Sequence, residues 1–287
     1  MSRYFVRVRT WEQLDIVNNW QQAEAILADF TLMNSENHAA VNSYAVTADI
    51  PEAVEGEGFD NPETHIYYCL PYVLRQNRLA SVEQMISSCN EGVGIVICSL
   101  DELAMLTEMN FKGSVIADSF LYAYNSQAID FYREYYPDMR FILSDELTDR
   151  ELAEIGRVRG KSQTDSFIYK IYGHQPLMIT AQCISRNYTN CSRKSIPFKD
   201  ERGNSFCAVS QCSQCYSVVY NGTTTSMTDK MSEISFDNLM IDFTIESADQ
   251  VKQVLDQISK KMRYDEMSAS DRTERRITRG HHYRGVD

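Results

Sequence analysis

Short apolar segments alternate with amphipathic stretches along most of this chain. Residues 4–8 are typical of a buried strand, and residues 11–17 after them place apolar side chains at helical spacing. Acidic side chains open the helix predicted from Asp101, and Thr148 with Glu151 has the spacing of a capping box. Strands are predicted at residues 4–8, 25–30, 65–70, 94–98, 114–118, 140–144, 168–172 and 238–245, with helices between them, including one near residues 39–45.

Strands that alternate with helices in this way predict a (β/α)8 barrel of the TIM type. A doubly wound open sheet is the alternative, but no glycine-rich phosphate loop follows the first strand. The alternation is interrupted after the seventh strand by a cysteine-rich insertion. We predict seven barrel strands in 1–182, the cysteine-rich insertion in 183–235, the last strand and helix in 236–265, and a basic tail in 266–287.

Composition narrows the class of protein. The 287 residues suffice for one large domain, with 43% hydrophobic and 24% charged residues. The net charge of −12 repels nucleic acid on average, so RNA binding would need a local basic patch such as residues 272–284. No apolar run is long enough to span a membrane, and the first residues lack a signal-peptide pattern. We therefore expect a cytoplasmic protein with no membrane partner.

Five of the eight cysteines lie between Cys183 and Cys215. Clustered thiols in the reducing cytosol bind metal more often than they form disulfides. Cys212 and Cys215 have the Cys-x-x-Cys spacing of a knuckle, whereas Cys183 and Cys191 are farther apart. This irregular spacing fits an iron–sulfur cluster somewhat better than a zinc ribbon, with inert structural thiols as a further alternative. The cysteines outside this segment lie in or beside apolar runs and are interpreted as buried hydrophobic residues: Cys69, Cys89 and Cys98.

Polar residues fall where predicted strands end, which in such a barrel is the position of substrate-facing side chains. Each could equally be a helix cap or a member of an ion pair. His174 is distinctive because it follows the seventh strand and precedes Cys183 by nine residues. The sequence contains neither His-Glu-x-x-His nor Gly-x-Ser-x-Gly. The polar residues at strand ends are Arg9, Asp29, Arg75, Asp118, Asn125, Glu146 and His174.

The residues around the cysteines resemble those of the peptidase U32 family. Residues 172–183 read Tyr-Gly-His-Gln-Pro-Leu-Met-Ile-Thr-Ala-Gln-Cys, which is similar to the family's Tyr-Gly-Arg-x-Pro-Leu-Met motif before its first cysteine. Cys191 matches the second cysteine, Cys212 and Cys215 followed by tyrosine match the closing pair, and Cys207 stands where the family has proline. The resemblance also includes residues 70–75, 117–126, 144–147 and 278–286, and it is greatest to the C-terminal portion of long members from anaerobic bacteria.

This resemblance implies a [4Fe–4S] cluster held by Cys183, Cys191, Cys212 and Cys215, with Cys207 as the alternative ligand and zinc as the alternative metal. Similar proteins install hydroxyl groups on ubiquinone, tRNA or ribosomal RNA without molecular oxygen, with prephenate implicated as the oxygen donor. We therefore expect an iron–sulfur enzyme of oxygen-independent hydroxylation or RNA modification. The family name implies a collagenase-like peptidase as the alternative, and a non-catalytic partner subunit is a third interpretation.

The resemblance also suggests a partner, a class of substrate and candidate residues for binding it. Many family members carry Glu-x-Phe-x-His-Gly-Ala before the first cysteine, but this chain does not. In this respect it resembles the partner-type member of the pair of family proteins that act in ubiquinone biosynthesis. A second U32-family chain is therefore an expected partner, and RNA or a small molecule the expected substrate. The candidate catalytic residues at the barrel face are His174, Asp118, Asn125 and Glu146. The candidate arginines for a carboxylate donor are Arg9, Arg75 and Arg186.

Overall fold

The computed structural model describes residues 2–33, 64–89, 92–148, 150–152, 154–155, 165–184, 195–263 and 277–280. The helix predicted near residues 39–45, the candidate ligand Cys191, the candidate Arg186 and most of the basic tail lie outside these ranges. No helix in the described ranges is long and apolar enough to cross a membrane.

Eight parallel strands close into a barrel, which confirms the predicted (β/α)8 fold. Each strand pairs with the next one in the ring, and the last strand, Asn238–Asp242, closes it by pairing with both the first and the seventh, so the open doubly wound sheet is excluded. The barrel strands are β1 Arg3–Val8, β2 Ala23–Asp29, β3 His65–Cys69, β4 Gly94–Ile97, β5 Val115–Ala117, β6 Arg140–Ile142, β7 Phe167–Thr180 and β11 Asn238–Asp242.

Helices follow the strands, and several begin at side-chain caps. Asn125 accepts a hydrogen bond from the Ala128 amide, and Ser99 forms a reciprocal capping box with Glu102. The predicted box of Thr148 and Glu151 is also formed, and residues 150–152 and 154–155 are helical. The helices are α1 Trp11–Asn18, α2 Phe30–Met33, α3 Leu79–Ser87, α4 Leu100–Glu108, α5 Ser126–Tyr135 and α6 Ala248–Arg263.

The barrel interior is packed with apolar side chains, so it is not a channel. Phe5, Leu27, Tyr67, Val96 and Ile116 belong to one buried cluster contributed by neighbouring strands. A larger cluster fills the layer between the strands and the surrounding helices. The space left for chemistry is therefore at the carboxyl-terminal mouth of the barrel.

The cysteine-rich insertion forms an antiparallel sheet that continues β7 beyond the barrel. β10 (Tyr216–Ser226) pairs with β7, β9 (Ser205–Gln211) pairs with β10, and β8 (Ile196–Lys199) pairs with β9. The short β12 (Ile277–Thr278) adds to β10 from the tail. We call residues 174–184 and 195–226 the cap, because this sheet lies over the mouth of the barrel.

Gly173 is the residue at which β7 leaves the barrel and enters the cap. Its φ of +153° is in a region that favours glycine, and a Cβ atom there would lie 2.8 Å from the Asp242 carbonyl oxygen. Gly173 pairs with Asp242 on one side and with Thr225 of β10 on the other. A side chain at this position would therefore collide with Asp242.

We expect Gly173→Ala to lower the free energy of unfolding by about 2–3 kcal/mol, because backbone strain and a backbone clash act together. Gly203 is the matched control, since its φ is +81° but an added Cβ would meet nothing within 4 Å. Gly203→Ala should cost about 1 kcal/mol from backbone strain alone. Urea denaturation of both variants measures the difference, and equal losses would contradict the close approach to Asp242.

Candidate functional site

Charged residues at the carboxyl ends of the barrel strands form a buried network. Arg7 of β1 pairs with Asp118, which follows β5, and its Nη1 atom lies 3.8 Å from Oδ2 of Asp242. Arg9 donates from Nη1 to Oδ2 of Asp29 at 3.3 Å and from Nη2 to Oδ1 of Asp242 at 3.1 Å. These five side chains are at most 10% exposed. Two of the predicted site residues, Arg9 and Asp118, therefore lie in one cluster.

Three members of the network, Asp118, Arg7 and Arg9, have pKa values that favour their charged forms although they are buried. Burial alone would raise the pKa of Asp118, but attraction and hydrogen bonding from Arg7 outweigh it and hold that pKa below its usual value. Burial opposes the charge on Arg7 and Arg9, and nearby negative groups more than compensate, so the pKa of each guanidinium is raised. Buried ion pairs are a weak source of stability, and such clusters are common at functional sites. The mouth is accordingly the candidate functional site.

Three tyrosines cover this network. Tyr72 follows β3, and its hydroxyl accepts a hydrogen bond from Nη1 of Arg7 at 3.4 Å. Tyr216 of the cap lies with its ring centroid 6.4 Å from that of Tyr72, and the Arg9 guanidinium lies 5.6 Å from the centre of the Tyr220 ring. Two small cavities adjoin the network, one lined by Tyr72 and Tyr216 and the other by Tyr72 and Pro176, and each is of a size for ordered water rather than for a substrate. The mouth is therefore closed by the cap.

The predicted burial of Cys69 and Cys98 is confirmed, and both line the same small cavity beneath Tyr216. Burial raises the pKa of Cys69 to about 12 and raises that of Cys98 well above its usual value. Cys89, at the end of α3, is half-buried, and burial raises its pKa to about 11. Neutral thiols of this kind are poor nucleophiles.

His174 holds the base of the cap together. Its Nδ1 atom lies 2.6 Å from the Asn221 carbonyl oxygen, and its Nε2 atom lies 3.2 Å from Oγ1 of Thr224. Nε2 is also 3.6 Å from Oε1 of the buried Glu246. The strand pairing of β10 with β7 is irregular between Tyr220 and Thr224, and the His174 ring spans this irregularity. Both ring nitrogens of this candidate catalytic residue are thus engaged at the junction of barrel and cap.

Asn125 and Glu146 lie in the loops at the rim of the mouth. The Asn125 side chain accepts from the Ala128 amide at 2.9 Å and so caps α5. Glu146 accepts a hydrogen bond from the Tyr124 hydroxyl at 2.6 Å, and that hydroxyl also accepts from Ser144 at 3.1 Å. These two candidates therefore have local partners and do not join the buried network.

The described members of the predicted cysteine set lie at one end of the cap. Cys183 follows the end of β7, and Cys212 and Cys215 lie in the turn between β9 and β10. The two segments are adjacent because Thr180 pairs with Ser217 at this end of the sheet. Cys183 is half-buried, Cys212 and Cys215 are exposed, and the described cysteines form no disulfide.

Arg75 joins both cysteine-bearing segments to the barrel. From the loop after β3, its Nη2 atom donates to the carbonyl oxygens of Ala181 at 2.9 Å and Cys215 at 2.8 Å. Its Nε atom donates to the Gln214 carbonyl oxygen at 3.3 Å. The guanidinium predicted as a substrate ligand therefore makes three bonds to the backbone of the cap.

The described residues contain no group of three Cys, His, Asp or Glu side chains arranged to hold a metal ion. The predicted four-cysteine set also includes Cys191, which the structure does not describe. The alternative ligand Cys207 lies in β9 opposite Tyr220, which is four residues along β10 from Tyr216. At the rise of an extended strand, Cys207 therefore lies about 13 Å from the turn that bears Cys212 and Cys215. Burial also raises the pKa of the Cys207 thiol.

Sequence patterns missed several members of the mouth, namely Arg7, Asp242, Lys170 and Tyr72. Arg7, Lys170 and Asp242 each interrupt an apolar strand, and Lys170 pairs with Asp145 in the structure. A charged residue in an otherwise apolar strand is the sequence feature that could have identified them. A buried charge is stable only when another group pairs with it. Tyr72 carried no comparable signal, since aromatic residues after a strand are common in cores.

Glu102 gives the protein a predictable response to pH. Its side chain is fully buried, and burial raises its pKa from 4.5 to about 8, although the Cys98 and Ser99 amides donate to it. The folded state therefore binds this proton more tightly, so the stability from this group is complete below pH 4.5 and is lost as the pH rises towards 8. We expect the free energy of unfolding to fall in this range by at most about 1.4 kcal/mol per pH unit. Glu102→Gln should remove that slope in urea titrations, and parallel profiles would contradict it.

Comparison with known proteins identifies no family for this chain. The chain matches no protein-family model, and no curated protein matches it significantly. Among solved structures, the C-terminal domain of a candidate chitinase from Desulfitobacterium hafniense DCB-2 aligns at 9% identity and a TM-score of 0.39, over 90% of this chain and 99% of that one. The spore cortex-lytic enzyme SleL of Bacillus cereus aligns at 6% identity and a TM-score of 0.30, over 90% of this chain and 74% of that one. Similarities at this level do not bear on what this chain does.

Proposed function

We propose that this chain is a U32-like iron–sulfur protein in which the cysteine end of the cap holds a [4Fe–4S] cluster beside the mouth of the barrel. One observation carries the proposal: Arg75 ties the segments that bear Cys183 and Cys215 to each other and to the loop after β3. Cys215 also has a φ of +54°, which is uncommon for a residue with a side chain and indicates a local constraint.

The candidate donors suit a cluster by their chemistry, although the described ones are not arranged to hold a metal ion. Cys183, Cys212, Cys215 and Cys191 would supply four thiolates, which suit an iron–sulfur cluster or, as the alternative, zinc. The three thiols that are described are not arranged to hold a metal ion, so binding would require this end of the cap to rearrange and Cys191 to complete the set. Cys207 is the less favourable fourth ligand because it lies farther along the sheet.

Oxygen-independent hydroxylation, of a small molecule or of RNA, is the activity we propose for this site. A bound cluster would supply redox chemistry, and the mouth of the barrel beside it holds the buried network of charged residues. A peptidase would need an activated nucleophile instead. The pKa values of Cys69, Cys98 and Cys89 are raised by burial, and the contacts of His174 are to the cap and Glu246 rather than to a thiol. These observations favour the redox role over proteolysis, and a second U32-type chain remains the proposed partner.

A deletion strain tests this function. Mass spectrometry of its RNA nucleosides and small-molecule pool should show the loss of one hydroxylated product. The wild-type gene and the control Cys89→Ser should restore that product, whereas Cys215→Ser should not. An unchanged profile, together with cleavage of gelatin or casein by the purified protein, would favour the peptidase and contradict the proposal.

A further inference from the structure

We propose that the cap is a lid over the buried network at the mouth and that Arg75 is its latch. The lid in this sense opens at the cysteine end and turns about the base of the cap at Gly173 and His174. The motion itself is independent of the proposed cluster. Its role, to admit a substrate, rests on the proposed function.

The closed mouth makes such a motion necessary for any ligand that reaches the network. Tyr216 and Tyr220 of the cap pack against Tyr72, Val73 and Ile245 from the loops after β3 and β11. The two cavities that adjoin the network are of a size for water. The cap contributes Tyr216 to the lining of one cavity and Pro176 to that of the other, so a substrate larger than water reaches Arg7 or Asp118 when these parts of the cap move away.

The base of the cap is built as a hinge. Pairing between β7 and β11 ends at Gly173 and Asp242, so β7 has no barrel neighbour on that side beyond this point. β10 rejoins β7 at Thr224, Thr225 and Ser226, next to the same glycine. Both strands that connect the cap to the barrel thus pass through one row of residues. Among the described residues, the rest of the cap is held to the barrel by side-chain contacts.

The latch lies at the opposite end of the cap. Arg75 makes its three bonds to cap carbonyl oxygens from a half-buried position, where water competes for the same groups. Nearby, the Tyr216 side chain also forms a hydrogen bond with the backbone of Tyr72, and the remaining tyrosine contacts there are ring packing. Arg75 supplies three directional bonds at this end, so its loss would weaken the attachment of the cysteine end, and any rearrangement of that turn would act on the same bonds.

When the lid is open, the buried network offers two hydrogen-bond donors to a small molecule that contains oxygen. The Nε atoms of Arg7 and Arg9 are buried and have no hydrogen-bond partner in the described structure, and both arginines line the cavities. The guanidinium groups of Arg7 and Arg9 lie among three carboxylates, those of Asp29, Asp118 and Asp242. This excess of negative charge disfavours a polyanion such as RNA and favours a small molecule with hydroxyl or carbonyl oxygens.

Two native thiols report on the opening. Cys69 and Cys98 line the cavity beneath Tyr216, so a thiol reagent reaches them only when the lid is open. The rate of their reaction with N-ethylmaleimide, followed by peptide mass spectrometry on the protein as isolated, measures the open population. Cys89 is the internal control, because it lies at the end of α3, away from the cap.

We expect Arg75→Gln to raise the labelling rates of Cys69 and Cys98 about tenfold, with no change at Cys89, because the latch bonds are lost. Arg75→Lys, which retains the charge but not the fork of donors, should give a smaller increase. Arg78→Gln, an exposed change on the same loop, is the matched control and should have no effect.

Unchanged rates at Cys69 and Cys98 in the Arg75 variants would overturn the lid, as would a parallel rise at Cys89 that indicates general unfolding. Protection of the two thiols by an RNA oligonucleotide would overturn the small-molecule assignment of the buried network. Failure of the proposed function is seen separately, as an unchanged product profile in the deletion strain.

Discussion

Asp118→Asn is expected to lower the free energy of unfolding by about 3–5 kcal/mol, because it leaves the buried Arg7 guanidinium without its closest counter-charge. The matched control is Asp165→Asn. Asp165 pairs with Arg3 at 2.8 Å, but the two side chains are 61% and 34% exposed, so its loss should cost about 0–1 kcal/mol. Urea denaturation at neutral pH measures both variants.

The acid limb of the stability profile provides a second check on Asp118. Its pKa is lowered in the folded protein, so the stability that it provides is present above its usual pKa of 3.8 and is lost as the pH falls through the lowered value. The wild-type protein should therefore lose stability in acid more steeply than Asp118→Asn. Equal losses in the Asp118 and Asp165 variants would contradict a buried, coupled network at the mouth.

Cys212→Ser and Cys215→Ser are expected to lose nearly all bound iron, because each removes one thiolate of a four-thiolate site. Both side chains are exposed, so the free energy of unfolding of the metal-free protein should change by no more than about 0.5 kcal/mol. Iron and sulfide analysis of anaerobically purified variants measures the loss. Retention of iron in either variant would show that the cysteine turn is not the ligand pair.

Two further cysteine variants make this series specific. Cys89→Ser should retain iron, because Cys89 lies at the end of α3 and away from the cap. Cys207→Ser distinguishes the alternative ligand, since Cys207 lies along β9 and away from the turn. Retained iron in Cys207→Ser would leave Cys191 as the fourth ligand.

The barrel could be predicted from the sequence because each of its strands is a local apolar segment. The first strand was predicted at residues 4–8 and is observed at Arg3–Val8. The seventh was predicted to end at residue 172, but β7 continues to Thr180. Its outer half is less buried and is held by pairing with β10, a partner about 40 residues away in the chain that a local pattern does not reveal.

The site was predictable in part. Polar residues at strand ends are expected to face the mouth, and the structure places three of them, Arg9, Asp29 and Asp118, in the buried network. The same rule could not distinguish them from Asn125, which caps α5, or from Arg75, which binds the backbone of the cap. Such roles depend on which distant groups come within hydrogen-bonding distance, and this is a property of the folded chain.

The iron and acid-labile sulfide content of the anaerobically purified wild-type protein tests the central claim most directly. A [4Fe–4S] cluster at the cysteine end of the cap predicts a brown protein with about four iron and four sulfide ions per chain. A colourless protein that contains one zinc ion per chain and no sulfide would contradict it.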